Sequence, residues 1–460
     1  MSEVTTCTAD TSEITVPNDG YPPLGVAGLS LGLLFTAYVL SFLDRQVLSL
    51  LVGPIRDQFG ISDFQFSLLQ GAGFAVIYTI AGLPLGRMAD RYSRRVIIMG
   101  SVFSWSLATV ICGVSKSYSQ LFLARMAVGV GEAGLTPSAY SIITDSFRPN
   151  LLGYALSFYK VGVTVGGGLA LVIGGALYDY FNSTPQLSVP FLGTLEPWQA
   201  TFVAVGVPGF LLCLFLGLIP EPERKGVAVS KVSSTMEAGF SLKQALGFLW
   251  QRKRVYGPLF IGSSCISIAS YGSAAWYPEM LTRNYGLSKS EAGSAFGMIY
   301  LVAATLGVMF GPWLAAKLER RGHKDAYVRT ILYTSLAAAV PSTVAPLLGS
   351  ADATIGLLWP TVFLGMTYLG VIAVSFQIIT PNQLRGQTTA IYIFVTNILG
   401  MAVGTSILAA FTDFLFQDDQ SLNYSIATVN AIFYPLGAAL FWYCLPAYRR
   451  SVEEVGNWKL

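Results

Sequence analysis

The sequence is poor in charge, in cysteine and in histidine. Charged residues make up 12% of its 460 residues, about half of the roughly 25% that is usual in soluble domains. The five cysteines have no paired spacing, which argues against a disulfide framework or a metal site. The single histidine, His323, falls in a predicted loop, so a catalytic triad is not expected. These shortages exclude most soluble enzymes and predict a protein that has no enzymatic activity and needs no cofactor.

Long apolar stretches fill most of the chain instead. Hydrophobic residues make up 53% of the sequence, and a membrane-spanning helix needs about 20 consecutive apolar residues. Stretches of this kind occur near residues 25–53, 66–86, 95–114, 120–144, 150–178, 199–219, 255–281, 290–316, 327–349, 355–380, 387–412 and 424–446. They predict an all-α membrane protein with twelve transmembrane helices.

Lysine and arginine predict the orientation of these helices. Most of the 28 fall in one set of alternating loops, and only Arg56, Lys116, Arg283 and Lys289 fall in the other set. Because cytoplasmic loops carry an excess of positive charge, both termini are predicted to be cytoplasmic. The net charge of +3 then reflects topology and gives no reason to expect a nucleic-acid partner. We expect a monomeric, multi-pass protein of the cell (inner) membrane.

Polar stretches divide the chain into two halves. Residues 1–24 are predicted to be a disordered cytoplasmic tail, 25–219 a six-helix bundle, 220–254 a cytoplasmic linker, 255–446 a second six-helix bundle and 447–460 a cytoplasmic tail. An amphipathic segment is predicted inside the linker, around Phe240–Trp250.

The two halves repeat at a constant offset of 226 residues. The segment Phe59-Gly60-Ile61-Ser62 corresponds to Tyr285-Gly286-Leu287-Ser288, and Gly71 corresponds to Gly297. A parallel repeat predicts two halves related by an axis along the membrane normal, an arrangement found among secondary transporters.

Ionisable residues inside the predicted membrane spans are the candidates for function. Each costs about 2.5–3.5 kcal/mol at a helix centre, so each needs a partner or a water-filled cavity. Asp44 and Arg45 lie in span 1, Arg125 and Glu132 in span 4 and Lys160 in span 5, whereas the second half has only neutral polar groups at mid-depth. At about 1.5 Å per residue, Asp44 and Arg125 reach the same depth. Arg45 must point away from Asp44, because neighbouring side chains on a helix do not face each other.

These charges suggest a proton relay. An arginine stays charged at any accessible pH, and a nearby buried carboxylate is subject to opposed effects of desolvation and of the cation. We therefore expect Glu132, with Asp44, to bind and release a proton while Arg125 exchanges partners. The alternative is a permanent structural ion pair, and Lys160 fits either a structural role or a substrate head group.

Two motifs carry a family resemblance. The turn Gly86–Arg95 has the pattern Gly-x-x-Ala-Asp-Arg-x-x-Arg-Arg, and span 4 has Arg125 followed by Gly129-Val-Gly131-Glu132-Ala133. The first resembles the loop between helices 2 and 3 of the major facilitator superfamily, and the second resembles the span-4 signature of that superfamily. The extended span-4 form, together with Phe42–Arg45, is similar to the Spinster branch of sphingolipid and lysolipid transporters.

The resemblance implies rocker-switch transport through a central cavity between the halves, with proton linkage at Asp44, Arg125 and Glu132. It also implies a conformational latch between the halves in the outward-open state, formed by Gly86, Arg87, Asp90, Arg91, Arg94 and Arg95. Asp90 is expected to cap a helix start, and Arg87 to meet carbonyls at a helix end. Span 5 lacks the Gly-Pro pair of the antiporter signature, so the motif does not imply export by antiport.

The predicted function is secondary active transport by alternating access, proton-coupled, of an amphiphilic lipid such as a lysophospholipid or sphingoid lipid. The candidate substrate-binding residues are Arg45, Arg125, Lys160, Tyr78, Tyr159, Tyr271, Tyr300 and Tyr368. A carrier of drugs or small organic anions is the alternative within the same fold. A membrane sensor that binds its ligand without transport is the alternative of another class.

Overall fold

A computed structural model describes residues 21–184, 188–189, 193–224 and 242–454. Within these residues the chain is helical at all twelve predicted positions. A short antiparallel pairing of Ser188–Val189 with Gly193–Thr194 lies between two of the helices. Residues 1–20 of the predicted tail, 225–241 of the linker and 455–460 lie outside the described residues.

The helices at the predicted spans are named α1 to α12 in chain order. They are α1 Leu24–Leu50, α2 Asp63–Arg91, α3 Arg94–Gly113, α4 Tyr118–Glu132 with Leu135–Ser146, α5 Pro149–Asn182, α6 Pro197–Leu216, α7 Lys253–Tyr285, α8 Lys289–Arg320, α9 Ala326–Leu347, α10 Ala351–Ile378, α11 Asn382–Phe416 and α12 Asp419–Glu454. Short helices Val52–Phe59 and Leu242–Gln251 lie between them.

Ten of the twelve are long and apolar enough to cross a membrane. The other two, α4 and α7, depart from that pattern for visible reasons. The α4 helix is interrupted at Ala133–Gly134, and α7 carries buried serines at 263, 264, 267, 270 and 273. The last helix continues to Glu454, past the predicted bundle boundary at 446. Leu242–Gln251 is helical inside the stretch predicted as linker.

The sequence repeat corresponds to the same local structure in each half. Gly60 and Gly286 adopt left-handed backbone conformations, with φ of 62° and 72°, where glycine meets no steric penalty. Two residues later, Ser62 and Ser288 each start a helix with a capping box, which satisfies otherwise unpaired amide groups. Each half therefore enters its second helix by the same turn.

The halves meet along two close helix pairs. A Cβ on Gly71 of α2 would lie 2.6 Å from the carbonyl oxygen of Met401 in α11. A Cβ on Gly297 of α8 would lie 2.7 Å from the carbonyl oxygen of Gly168 in α5. Small residues let membrane helices approach this closely, so the repeated glycines position the two halves against each other.

Both pairs close the same end of the molecule. We call it the closed end: there α1 finishes and α2 and α8 begin. We call the opposite end, which carries the turn between α2 and α3, the basic end. At mid-depth Thr305 Oγ1 of α8 donates to Thr164 Oγ1 of α5 at 2.7 Å. One helical turn further toward the basic end, Lys160 and Met309 are exposed, so the cleft between the halves widens in that direction.

Candidate functional site

An ion pair between α1 and α4 is the centre of the candidate site. Both Nε and Nη2 of Arg45 lie 2.5 Å from Oε2 of Glu132. The Glu132 side chain is completely buried, and that of Arg45 is 14% exposed. The sequence predicted only that Arg45 points away from Asp44 and did not pair it with Glu132, because depth along a helix does not define the direction in which a side chain points.

Asp44 points away from Arg45, toward α3. Its Oδ2 accepts a hydrogen bond of 3.1 Å from Thr109 Oγ1, and the residue is 2% exposed. Arg125 reaches the same level, but its Nη1 donates to the main-chain oxygen of Asp44 at 3.2 Å. The arginine predicted to exchange carboxylate partners thus contacts the backbone of Asp44 in this structure.

Two buried polar atoms of the charged cluster have no hydrogen-bond partner among the described residues. They are Oε1 of Glu132 and Nε of Arg125. Buried carboxylate oxygens and guanidinium groups are costly when unpaired, and most such atoms in proteins are satisfied. An unpaired acceptor and an unpaired donor in one charged cluster leave capacity to bind a proton or a polar ligand group.

Aromatic rings surround the two guanidinium groups. The Arg45 guanidinium carbon lies 4.8 Å from the ring centroid of Phe42, 4.6 Å from that of Phe74 and 4.8 Å from that of Tyr78. Arg125 lies 5.7 Å from the Phe74 centroid. Cations are attracted to ring faces within about 6 Å. The rings therefore stabilise the Arg45 guanidinium, which Glu132 also stabilises through the ion pair.

The glycines of α4 allow this packing. A Cβ on Gly129 would lie 3.0 Å from the carbonyl oxygen of Phe74, and one on Gly131 would lie 2.6 Å from the amide nitrogen of Trp105. The motif that follows Arg125 therefore brings α2 and α3 against α4.

A cavity of about 50 Å³ separates the charged cluster from the second half. The first half contributes Phe42, Arg45, Gln46, Gln70, Phe74 and Arg125, and the second contributes Tyr271, Ala275, Tyr300, Met401 and Thr405. Tyr271 lies at the repeat position of Arg45. Pseudo-symmetry thus places one cation and one phenol on opposite walls of the cavity.

The other predicted substrate residues differ in position. Tyr300 lines the cavity, and Gly167 leaves room for its ring, because a Cβ there would lie 2.7 Å from Tyr300 Cε1. Tyr159 is fully buried and stacks on Tyr38 with ring centroids 4.4 Å apart. Tyr368 lies in the apolar core of the second half, away from the cavity lining.

Lys160 lies on the wall of the open cleft. It is four residues before Thr164, which contacts α8, so it faces the same side one turn nearer the basic end. The side chain is exposed and makes no ion pair with any residue in the described ranges.

The predicted latch turn is held within the first half. Arg94 is fully buried, pairs with Asp145 of α4 and lies 2.7 Å from Oε1 of Glu221 beyond α6. The backbone amide of Arg95 donates to Glu221 Oε2 at 3.0 Å. Partial burial raises the pKa of Glu221, but hydrogen bonds from Arg94, the Arg95 amide and Ser93 outweigh it and lower the pKa to about 2.

The remaining latch residues make no described contact with the second half. Gly86 has open space at its Cβ position, and the side chains of Arg87, Asp90 and Arg91 are exposed. Arg224, rather than Arg87, meets the carbonyls at the end of α2: it donates to the main-chain oxygens of Ala89, Asp90 and Tyr92. Sequence reasoning missed Glu221 and Arg224 because they lie in a polar stretch without periodicity.

The sequence model of the Major Facilitator Superfamily matches residues 34–405. The chain belongs to this superfamily. The predicted major facilitator fold is confirmed, and so is the prediction that the protein is a transporter and not an enzyme, because its relatives of known structure are transporters.

Individual relatives include a spinster protein and an efflux pump. The chain is 24% identical over 420 residues to the protein spinster of Drosophila melanogaster, covering 87% of this chain and 66% of that protein. It is 25% identical over 433 residues to an MFS-type efflux pump of Mycolicibacterium smegmatis, covering 93% of this chain and 95% of the pump.

A solved structure shares the overall arrangement. It is that of a bacterial homolog of the human lysosomal transporter Spinster, in an inward-facing and unoccupied conformation. The TM-score is 0.74 at 25% identity, covering 95% of this chain and 100% of that chain.

Proposed function

We propose that this transporter couples a proton to the movement of an amphiphile with an anionic head group. The observation that carries the proposal is the buried Arg45–Glu132 ion pair on the wall of the central cavity. The free oxygen Oε1 of Glu132 supports it, because a proton can bind there without displacing Arg45 beforehand.

Protonation of Glu132 removes the charge that holds Arg45. Breaking a buried pair leaves an uncompensated charge, which is strongly unfavourable, so Arg45 then requires another anion. A phosphate or carboxylate head group in the cavity supplies it, and guanidinium groups suit such ligands because of their planar set of donors. Binding of the proton and of the anion is therefore cooperative, and both are expected to move in the same direction.

The amphiphilic part of the substrate is proposed from the cavity wall. Phe42, Phe74 and Tyr300 place aromatic rings beside the cationic groups, as expected for ligands with an apolar body and a charged end. Lys160 adds a cation on the route from the basic end. The relatedness to spinster proteins supports a lysophospholipid or sphingoid lipid as substrate.

A carrier of drugs or small organic anions is the second candidate. It is favoured by the likeness to a mycobacterial efflux pump over almost the whole chain. The cavity charges serve this function equally well, so the length of the apolar tail is the feature that separates the two candidates.

Uptake of a labelled lysophospholipid into proteoliposomes, with and without an imposed pH gradient, tests the proposal. Glu132→Gln should retain binding but lose acceleration by the gradient, because glutamine resembles the protonated carboxyl. Glu319→Gln, which removes an exposed carboxylate from the basic end of α8, is the matched control and should respond as the unmodified protein does.

Three outcomes separate the candidates. Uptake by Glu132→Gln that still responds to the gradient would show that the coupling group lies elsewhere. Transport of short organic anions but not of the lysolipid would favour the second candidate. Binding of the lysolipid without any flux would favour a sensor.

A further inference from the structure

Two matching hydrogen bonds join the halves at the closed end. The amide of Phe64, the second residue of α2, donates to Oδ2 of Asp413 in α11 at 2.7 Å. The amide of Ser290, the second residue of α8, donates to Oδ2 of Asp179 in α5 at 2.9 Å. In each case the helix start belongs to one half and the carboxylate to the other.

The two donors occupy the same place in the repeat. Phe64 and Ser290 are 226 residues apart, and each follows a serine N-cap and one further residue. The acceptors, Asp413 and Asp179, are both half-buried near the ends of their helices. One arrangement therefore occurs twice, once on each side of the pseudo-symmetry axis.

We propose that Asp179 and Asp413 are paired latches that hold the closed end shut while the basic end is open. They are positioning residues of the transport cycle and do not touch the substrate. The inference does not depend on which substrate is carried or on proton coupling.

The physical basis is the interaction of a carboxylate with a helix start. The first amide groups of a helix lack intrahelical acceptors, and their aligned dipoles give that end a partial positive charge. A carboxylate that accepts from such an amide makes a charge-assisted hydrogen bond, which is stronger than a neutral one. Separation of the halves at this end breaks both hydrogen bonds. Each carboxylate therefore stabilises the conformation in which the closed end is shut.

Ion pairs add to the latch at Asp413. Arg283 of α7 lies 2.7 Å from Asp63 at the start of α2, and Arg56 lies 2.9 Å from Asp419 at the start of α12. Both pairs join opposite halves. The latch at Asp179 has close backbones beside it instead, since a Cβ on Gly175 would lie 2.4 Å from the carbonyl oxygen of Lys289.

Access from the closed end to the cavity measures the latch directly. The probe is Gln70→Cys, a cavity position, in a background without the five native cysteines. A membrane-impermeant thiol reagent is added outside whole cells, the side that the lysine and arginine distribution predicts for the closed end. Its rate of reaction reports the fraction of molecules open at that end.

Asp413→Asn and Asp179→Asn should each raise this rate by roughly fivefold, and the double variant should multiply the two effects. Asp418→Asn is the matched control, because Asp418 is exposed and, among the described residues, its side chain accepts only from Gln420 and Ser421 at the start of α12 in its own half. Rates for both latch variants equal to the control rate would overturn the proposal.

If an Asn variant is not produced in folded form, Asp413→Glu and Asp179→Glu provide the test. These keep the charge but move it along a longer side chain, and unchanged rates in both would likewise contradict a latch that depends on geometry.

Discussion

The close approach of α5 and α8 predicts that a single methyl group at Gly297 changes the conformational equilibrium. In Gly297→Ala the new Cβ would lie 2.7 Å from the Gly168 carbonyl oxygen and 2.8 Å from Val172 Cγ2. An ordinary contact begins at 3.4 Å, so the two helices must separate by about 0.7 Å in a bundle that is packed like a crystal.

The expected magnitude follows from the cost of overpacking. Extra methyl groups in packed cores cost about 1–3 kcal/mol, which corresponds to about fivefold to 150-fold in an equilibrium constant. The strain exists only while the closed end is shut. We therefore expect Gly297→Ala to raise the reaction of Gln70→Cys with an external thiol reagent by a factor within that range.

Gly153→Ala on α5 is the control, because nothing lies within 4 Å of a Cβ at Gly153. It makes the same chemical change on a helix and should leave the rate unaltered. The reasoning would be refuted if Gly297→Ala folded normally and reacted at the rate of Gly153→Ala.

Three further predictions concern the ends of the bundle. A disulfide between Ser67→Cys and Ser406→Cys, whose hydroxyl oxygens are 3.1 Å apart across the halves, should stop uptake until a reductant is added. Asp325→Asn should lower stability by about 2 kcal/mol, seen as a reduced Tm of the purified protein, because the buried carboxylate pairs with Arg329 and Arg449. Glu221→Gln should lower the Tm by the same amount at pH 7 and at pH 5. Glu221 has a lowered pKa of about 2, so its stabilising effect is present above the unfolded pKa of about 4.3 and is lost only as the pH falls toward the folded value. A difference between the two proteins that already disappears at pH 5 would contradict this assignment.

The positions of the helices were predictable because hydrophobic stretches and the distribution of lysine and arginine are properties of consecutive residues. The repeat was predictable for a similar reason: Gly60 and Gly286 require a left-handed turn, which the residues on either side make recognisable. Depth within the membrane was also accessible from residue counts, and Asp44 and Arg125 were expected at one level.

The pairing of side chains was not predictable in the same way. Arg45 was expected only to point away from Asp44, and its bond to Glu132 depends on how α1 is rotated against α4. The acceptors Asp179 and Asp413 sit near helix ends, where a lone aspartate has no periodic pattern. Tyr368 resembled a cavity residue by type, yet rotation of its helix places it in the apolar core.

Buried charge is distributed unequally between the halves at mid-depth. The first half contains Asp44, Arg45, Arg125 and Glu132, whereas the second lines the cavity with uncharged residues, namely Tyr271, Ala275, Tyr300, Met401 and Thr405. Substitutions in the second half can therefore reshape the cavity without changing the balance of buried charges. Hybrid carriers are therefore possible. A second half taken from a relative would change which substrate is selected, and the original first half would keep its balance of buried charges.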